Sequence, residues 1–105
     1  MGVAGSALVL QFVRVHYVYI VRCRDGTLYT GWARDPGQRE KVHNRGRGAR
    51  YTASRRPVAL VYSEPVASQS EALKRERHLK RLTKAKKEAL IATFQFSPTN
   101  LTFSR

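Results

Sequence analysis

The chain has 105 residues, a length that suits one domain with a single modest core. Lysine and arginine number 20 against 7 acidic residues, so the formal net charge is +13 at pH 7. Hydrophobic residues make up 42% of the chain, which excludes a wholly disordered protein. The excess of positive charge favours a polyanionic partner, above all nucleic acid. A membrane partner is not expected, because the sequence has no long apolar span.

Residues 1–14 are predicted to form a flexible extension before a domain over 15–93. An apolar run over 7–13 has neither a basic segment before it nor a small-residue cleavage site after it, so no signal peptide is expected. The single cysteine, Cys23, cannot form an internal disulfide and is predicted to be buried in a strand. These features favour a cytoplasmic protein. Residues 94–105 form a C-terminal tail whose docking the sequence leaves open.

The stretch over 17–31 predicts a β-hairpin, with strands at about 16–23 and 26–32 around the turn pair Asp25-Gly26. Both faces of the first strand carry apolar residues, which indicates a sheet covered on both sides. A two-residue loop would place Tyr19 and Tyr29 on opposite faces. A three-residue loop over 24–26, with Gly26 left-handed, would place them on the same face as diagonal neighbours. The sequence permits both loops.

Asp35-Pro36 predicts a helix start, with Asp35 as the cap and the helix ending near position 44. Arg39 and His43 are four residues apart and therefore share a face of this helix. The simplest interpretation is a solvated arginine and a histidine that the helix dipole favours. The alternative is a pair of functional side chains.

Residues 45–56 predict a basic loop interrupted by glycines, followed by a strand over 58–62. Arginine offers phosphate a fixed fork of donors, and glycine allows the backbone to come close. The pattern therefore favours a loop that follows a nucleic-acid backbone, with a disordered basic linker as the alternative. The predicted contact residues are Arg45, Arg47, Arg50, Tyr51, Arg55 and Arg56.

Ser68 or Ser70 caps a predicted long helix that reaches about position 93, with a possible break at Thr83. Glu76 falls inside the apolar stripe of this helix, where a carboxylate needs a definite partner. An arginine and a metal ion are both open as that partner. The bases predicted to face phosphate are Lys74, Arg77, Lys80 and Arg81.

The order of these features resembles the GIY-YIG nuclease family, specifically its small single-domain bacterial members. The motifs stand here as Tyr17-Val18-Tyr19 and Tyr29-Thr30-Gly31, and Arg39 follows the second tyrosine by ten residues. The segments 46–52 and 70–76 resemble the family's loop and its metal-binding helix, and the likeness covers roughly 16–91. The departures within the motifs are tyrosine for the first glycine, and valine and threonine for the two isoleucines.

The resemblance implies an α/β fold of the α+β type, with a three-stranded antiparallel sheet flanked by helices. It also implies metal-dependent hydrolysis of nucleic-acid phosphodiester bonds, with DNA favoured over RNA. The implied catalytic residues are Tyr19, Tyr29, Arg39 and His43, and Glu76 would hold one Mg²⁺ or Mn²⁺ ion. Tyr19 is favoured over Tyr29 as proton acceptor, with Arg39 and the metal favouring its phenolate. No small-molecule cofactor is expected, and the oligomeric state is open, with a monomer as the default.

The rival hypothesis is a non-catalytic basic module that binds DNA or RNA on the same fold. A ribosome-associated RNA binder would also suit the charge, but it leaves Glu76 without a purpose. The discriminating observation is geometric. Convergence of the five implied residues on one cleft favours the enzyme, and scatter favours the binder.

Overall fold

A computed structural model describes residues 15–95, which form a three-stranded antiparallel sheet with four helices. This architecture confirms the predicted fold class. The strands are β1 (His16–Arg22), β2 (Leu28–Ala33) and β3 (Ala59–Val66), and the helices are α1 (Pro36–Asn44), α2 (Arg50–Ala53), α3 (Gln69–Lys80) and α4 (Lys84–Gln95). The predictions for the extension 1–14, and for the tail beyond position 95, lie outside the described residues.

β1 is the central strand of the sheet, with β2 on one side and β3 on the other. Val18 and Ile20 point into a core that includes Leu79 of α3 and Ile91 of α4. The opposite face of β1 carries a smaller core around Tyr19. The alternating side chains of one strand thus enter two cores, which confirms the expectation of a sheet covered on both sides.

The hairpin between β1 and β2 closes through a three-residue loop. The Cys23 N–H donates to the Thr27 carbonyl at 2.8 Å, and Gly26 has a φ of 87°. A positive φ is easy for glycine because it has no Cβ. The resulting register places Tyr19 opposite Gly31, and Tyr29 two residues along β2 on the same face. Of the two loops that the sequence permits, the structure adopts the one that unites the tyrosines.

Helix α1 has the predicted start, since the Asp35 carboxylate accepts from the Gln38 N–H at 3.0 Å. Its attachment to β3 is polar. The Glu40 carboxylate accepts from the Leu60 N–H at 2.7 Å, beside the irregularity in the β1–β3 register. The Asn44 amide bonds the Val58 N–H at 2.7 Å and the Val58 carbonyl at 2.9 Å. Residues four apart thus fix one side of α1 to β3, which directs a different side of the helix toward β1.

The prediction that 45–56 is all loop is wrong, because the segment contains the single helical turn α2. Its backbone closes on itself where the Ala53 N–H donates to the Ala49 carbonyl at 3.0 Å. The Thr52 hydroxyl donates to the same carbonyl at 3.0 Å. These two local bonds stabilise a turn that glycine-rich composition did not indicate.

The third strand is longer than predicted, and the long helix is divided. β3 continues past Tyr62 to Val66, because it is an edge strand where a proline such as Pro65 is tolerated. The helix ends at Lys80 and resumes at Lys84, close to the predicted break. The Thr83 hydroxyl accepts from the Lys86 N–H at 3.2 Å, which caps the new helix.

Two ion pairs fasten the last helices to the sheet. Arg22 of β1 donates to both carboxylate oxygens of Glu88 at 2.6 and 2.8 Å. Arg75 of α3 contacts Glu64 of β3 at 2.5 and 3.1 Å. Both pairs are two-pronged, the geometry in which arginine holds carboxylate best. None of the helices within 15–95 has the length and apolar character that a bilayer crossing requires.

Candidate active site

The site is built around the buried side chain of Tyr19, which is 2% exposed on the smaller core's face of the sheet. Its ring lies over the backbone of Gly31, the residue opposite it in β2. A Cβ at position 31 would come within 2.6 Å of the phenol oxygen and 2.8 Å of the ring carbon that bears it. Gly31 of the second motif therefore leaves the space that the ring of Tyr19, from the first motif, occupies.

The phenol of Tyr19 is hydrogen-bonded to His43 of α1, with 2.8 Å between the oxygen and Nε2. The other ring nitrogen, Nδ1, lies 2.8 Å from the hydroxyl of Thr52, which in turn donates to the Ala49 carbonyl. His43 and Thr52 are fully buried. The simplest interpretation of His43, as a surface residue favoured by the helix dipole, is therefore wrong.

Gly48 lies against the imidazole ring of His43. A Cβ at this position would fall 2.1 Å from Nδ1 and 2.6 Å from each of two ring carbons. Such distances are far below van der Waals contact, so no other residue type fits here without moving the ring. The glycine-rich loop thus encloses the histidine, a role different from the expected approach to phosphate.

Tyr29 flanks the same histidine from the neighbouring strand. Its ring centroid is 5.3 Å from that of His43 in an edge-to-face arrangement, a geometry that aromatic pairs favour. Two exposed residues also meet the Tyr29 ring: the Tyr51 ring stacks on it with 6.0 Å between centroids, and the ammonium of Lys80 is 6.0 Å from its centroid. Tyr29 therefore contacts both the buried histidine and residues at the surface.

Burial dominates the electrostatics of Tyr19 and raises its pKa to about 12. Arg39 opposes this as a hydrogen-bonding partner and as a positive charge, while the charges of Tyr29 and Glu76 raise the pKa further. Burial, and next the charge of Arg39, lower the pKa of His43. Within residues 15–95 burial outweighs Arg39, so both groups are neutral at pH 7, and the expected phenolate would need the metal ion as well as Arg39.

Glu76 of α3 lies at the edge of this group, with its side chain 18% exposed. Its partner is Lys80, one helical turn on, whose ammonium is 3.4 Å from the carboxylate. The sequence left an arginine or a metal as the alternatives, so lysine is an unforeseen partner. The apolar stripe places Glu76 near the core, and the long side chain of Lys80 reaches it from the surface.

A single hydrated metal ion suits this carboxylate. Residues 15–95 contain no cluster of three or more histidine, cysteine, aspartate or glutamate side chains that could enclose a metal. Mg²⁺ does not need such a cluster, since it keeps several waters and binds through one or two carboxylates together with substrate phosphates. Glu76 alone therefore fits a Mg²⁺ ion that arrives with, or is completed by, a phosphate substrate.

The structure brings the five implied residues together from four elements. Tyr19 comes from β1, Tyr29 from β2, Arg39 and His43 from α1, and Glu76 from α3. Tyr29, Arg39 and Glu76 all act on the pKa of Tyr19, and His43 is bonded to it directly. The four elements therefore place all five implied residues around one phenol.

The predicted nucleic-acid contacts divide into two groups. Arg55 and Arg56 are engaged within the chain: the Arg55 guanidinium lies 3.9 Å from the Tyr51 ring centroid, and Arg56 donates to the Ala53 carbonyl at 2.7 Å. Tyr51 itself is 39% exposed. The remaining predicted bases are exposed, although Lys80 also pairs with Glu76: Arg45, Arg47, Arg50, Lys74, Arg77, Lys80 and Arg81.

Thr52 and Gly48 are the site residues that sequence reasoning missed. The sequence indicates Thr52 only as part of a basic loop, and Gly48 only as a glycine that lets the backbone come close to a phosphate. Thr52 meets His43 across nine residues and two different helices, so no helical or strand period connects them. The sequence contains no local signal for this contact.

Comparison with known proteins places the chain among relatives of similar size. A family model described as the GIY-YIG catalytic domain matches residues 15–89. UPF0213 proteins of Staphylococcus aureus strains Mu3 and N315 are each 58% identical over 76 residues, which is 72% of this chain and 93% of each relative.

Two solved solution NMR structures share the fold. The UPF0213 protein BH0048 from Bacillus halodurans is 40% identical with a TM-score of 0.51, over 85% of this chain and 94% of that one. The protein EF2693 from E. faecalis is 41% identical with a TM-score of 0.54, over 80% and 90% of the two chains. The family model, the relatives and the shared fold agree, and the chain belongs to the GIY-YIG family.

Proposed function

We propose that this protein is a metal-dependent endonuclease that hydrolyses DNA phosphodiester bonds at the Tyr19 site. The observation that carries the proposal is the buried hydrogen bond of 2.8 Å between Tyr19 and His43, with Arg39 and Glu76 acting on the same phenol. A purely structural phenol has no need of a histidine, a cation and a carboxylate together. In proton transfer next to a phosphate each of them has a role, since the histidine can take a proton, the cation stabilises negative charge and the carboxylate can hold a metal ion.

Arg39 is the residue that binds the scissile phosphate. Its guanidinium lies beside the phenol of Tyr19, and residues 15–95 provide no acidic side chain in an ion pair with it. Phosphodiester hydrolysis builds negative charge on the non-bridging oxygens as water attacks. A preorganised arginine there stabilises the transition state more than the ground state.

Tyr19 and His43 act as a pair in proton transfer. A phenol with a pKa of about 12 is almost fully protonated at pH 7, so it does not act as a preformed base. Its oxygen accepts a proton from the attacking water while its own proton passes to Nε2 of His43. The hydrogen bond already holds the two atoms at a distance suited to this transfer.

Glu76 is the residue that would hold a Mg²⁺ or Mn²⁺ ion. When bound, such an ion supplies Lewis-acid polarisation of the phosphate and stabilises the leaving oxygen. When no ion is bound, the ammonium of Lys80 at 3.4 Å balances the charge of the carboxylate. Its exposed ammonium is free to turn toward the DNA backbone when the carboxylate is engaged.

The remaining exposed bases supply general affinity for DNA. The net charge of +13 and the exposed lysines and arginines of α3 favour contacts to several phosphates. Contacts of this kind fix position and carry little base information. We therefore expect binding that weakens steeply with salt and shows little dependence on base sequence.

Plasmid nicking with and without Mg²⁺ tests the proposal, with wild type compared with Glu76→Gln and Arg39→Ala. We expect loss of about 10²–10³-fold in rate for Arg39→Ala, the size typical of removing one preorganised charge donor. Glu76→Gln should remove the response to Mg²⁺. The matched control is Glu71→Gln, an exposed carboxylate on the same helix, which should cleave like wild type.

Measurements of DNA binding separate the two hypotheses. Binding that is strong and salt-sensitive without Mg²⁺-dependent nicking would establish the non-catalytic module instead. Equal nicking by wild type and both site variants would show that the activity comes from another site or another protein.

A further inference from the structure

We infer that Thr52 is a positioning residue that keeps His43 protonated at Nδ1, so that Nε2 is available to the proton of Tyr19. This inference rests on the proposed nuclease function and adds to it a residue outside the five implied by the family motifs. It concerns the chain Tyr19–His43–Thr52–Ala49, whose three successive contacts measure 2.8, 2.8 and 3.0 Å.

The assignment follows from counting hydrogens. The Ala49 carbonyl only accepts, so the Thr52 hydroxyl gives its one hydrogen to that carbonyl. The Thr52 oxygen is then an acceptor for His43 Nδ1–H. A neutral imidazole carries one hydrogen, so Nε2 is bare and accepts from the phenol of Tyr19.

The opposite tautomer leaves a buried hydrogen without a partner. If Nε2 carried the hydrogen, it would donate to the phenol oxygen, and the phenol hydrogen would need a second acceptor. Tyr19 is 2% exposed, and besides His43 the side chain within residues 15–95 that hydrogen-bonds to its phenol is Arg39, whose guanidinium only donates. An unpaired buried donor is costly, so the Nδ1–H form is favoured.

Packing prevents substitution of the hydroxyl by water. His43 and Thr52 are both fully buried, and Gly48 touches the ring at the same nitrogen. No space remains beside Nδ1 for a solvent molecule to replace the threonine. The hydroxyl is also uncharged. It therefore sets the tautomer without the negative charge of a carboxylate, which would favour the protonated, positively charged form of His43.

The proton path then balances. Water oxygen attacks phosphorus, and the bond to the leaving oxygen breaks with its electron pair on that oxygen. The water proton goes to the Tyr19 oxygen, and the original phenol proton goes to Nε2 of His43. The hydrogen on Nδ1 stays there and remains donated to the Thr52 oxygen. Return of the proton from Nε2 to the phenol oxygen releases the other phenol proton to solvent and restores Tyr19 and His43. The leaving oxygen departs on the side opposite the attacking water and takes its proton from solvent.

The test compares Thr52→Val, which keeps the shape and removes the acceptor, with Thr52→Ser, which keeps the hydroxyl. Long-range ¹H–¹⁵N spectra of histidine-labelled protein at pH 7.5 report which ring nitrogen carries the hydrogen. We expect Nδ1–H for His43 in wild type and in Thr52→Ser, and a mixed or reversed tautomer in Thr52→Val. The exposed His78 provides an internal reference that should not change.

Plasmid nicking by the same variants supplies the kinetic measurement. We expect kcat to fall about 10²-fold in Thr52→Val, the size typical of losing proton transfer, with KM unchanged and with recovery in Thr52→Ser. An Nε2–H tautomer in wild type overturns the inference, as does an unchanged tautomer in Thr52→Val. If Thr52→Val fails to fold, the spectra of wild type and Thr52→Ser decide. A wild type with the expected tautomer and no nuclease activity would refute the proposed function alone.

Discussion

Tyr19 lies directly across the hairpin from Gly31, and its phenol occupies the space that a side chain at position 31 would need. The ring cannot move aside, because its oxygen is bonded to His43 at 2.8 Å. We expect Gly31→Ala to displace the phenol and to destabilise the fold by about 1–3 kcal/mol, the usual cost of overpacking a core. Urea unfolding measures this loss of stability, and the rate of plasmid nicking should fall as well.

Gly37→Ala is the matched control for that substitution. Gly37 lies in the first turn of α1, and a Cβ there meets only the Asp35 carboxylate at 3.6 Å, an ordinary contact. Alanine in a helix is favoured over glycine by up to about 1 kcal/mol, so this variant should be as stable as wild type or more stable. Equal stability of the two alanine variants would contradict the described packing of Tyr19.

Asn44 holds α1 to the residue just before β3 through two hydrogen bonds to the backbone of Val58. In Asn44→Ala, the N–H and the carbonyl of Val58 lose these partners, and we expect a loss of about 1–3 kcal/mol in the free energy of unfolding. Hydrogen exchange should show faster opening of α1, which carries Arg39 and His43. Lys41→Ala, a change at an exposed position of the same helix, should leave hydrogen exchange and stability near those of wild type. Faster exchange of α1 in Lys41→Ala as well would show that the effect is not specific to the hydrogen bonds of Asn44.

His43 makes stability depend on pH in a defined window. Its pKa is lowered in the folded state by burial and then by Arg39, while the unfolded chain has the ordinary value of about 6.5. Below that value the unfolded state binds more protons, so the free energy of unfolding falls as pH drops toward the lowered pKa of His43. The slope from one group is at most about 1.4 kcal/mol per pH unit.

Urea unfolding between pH 7.5 and 5.5 checks this expectation. His43→Gln should be less stable at pH 7.5 but should lose this slope, whereas His78→Gln, a change at an exposed site, should keep it. A slope that survives in His43→Gln would assign the effect to another group. The lowered pKa of Glu88 acts in a more acidic range and does not interfere.

Lys80 pairs with the Glu76 carboxylate at 3.4 Å, so it would compete with the metal ion that we propose for this residue. Removing this charge in Lys80→Gln should strengthen Mn²⁺ binding by about twofold, since exposed pairs one helical turn apart contribute about 0.3–0.5 kcal/mol. The same change should weaken DNA binding and reduce its salt dependence. Calorimetric titration with Mn²⁺ measures the first effect. Lys74→Gln, which removes a charge from the same helix outside the ion pairs of residues 15–95, should change DNA binding alone.

Local chemistry made several features predictable from the sequence. The Asp35-Pro36 start of α1 and the break near Thr83 depend on capping by neighbouring residues, so they need no distant contact. The two-sided burial of β1 follows from its period of two. The motif spacing resembled a known family, and the family match confirms it. The longer β3 was not predictable, because its pairing with β1 outweighs poor local propensity.

The candidate site depended on contacts that only the tertiary structure decides. A single residue in the turn determines whether Tyr19 and Tyr29 share a face, and the sequence allowed either loop. The burial of His43 requires Thr52 and Gly48 from a segment that composition described only as basic and glycine-rich. Caps and periodicities act over a few residues and are visible in the sequence. Hydrogen bonds between separate elements depend on how those elements pack, and they appear only when the chain is folded.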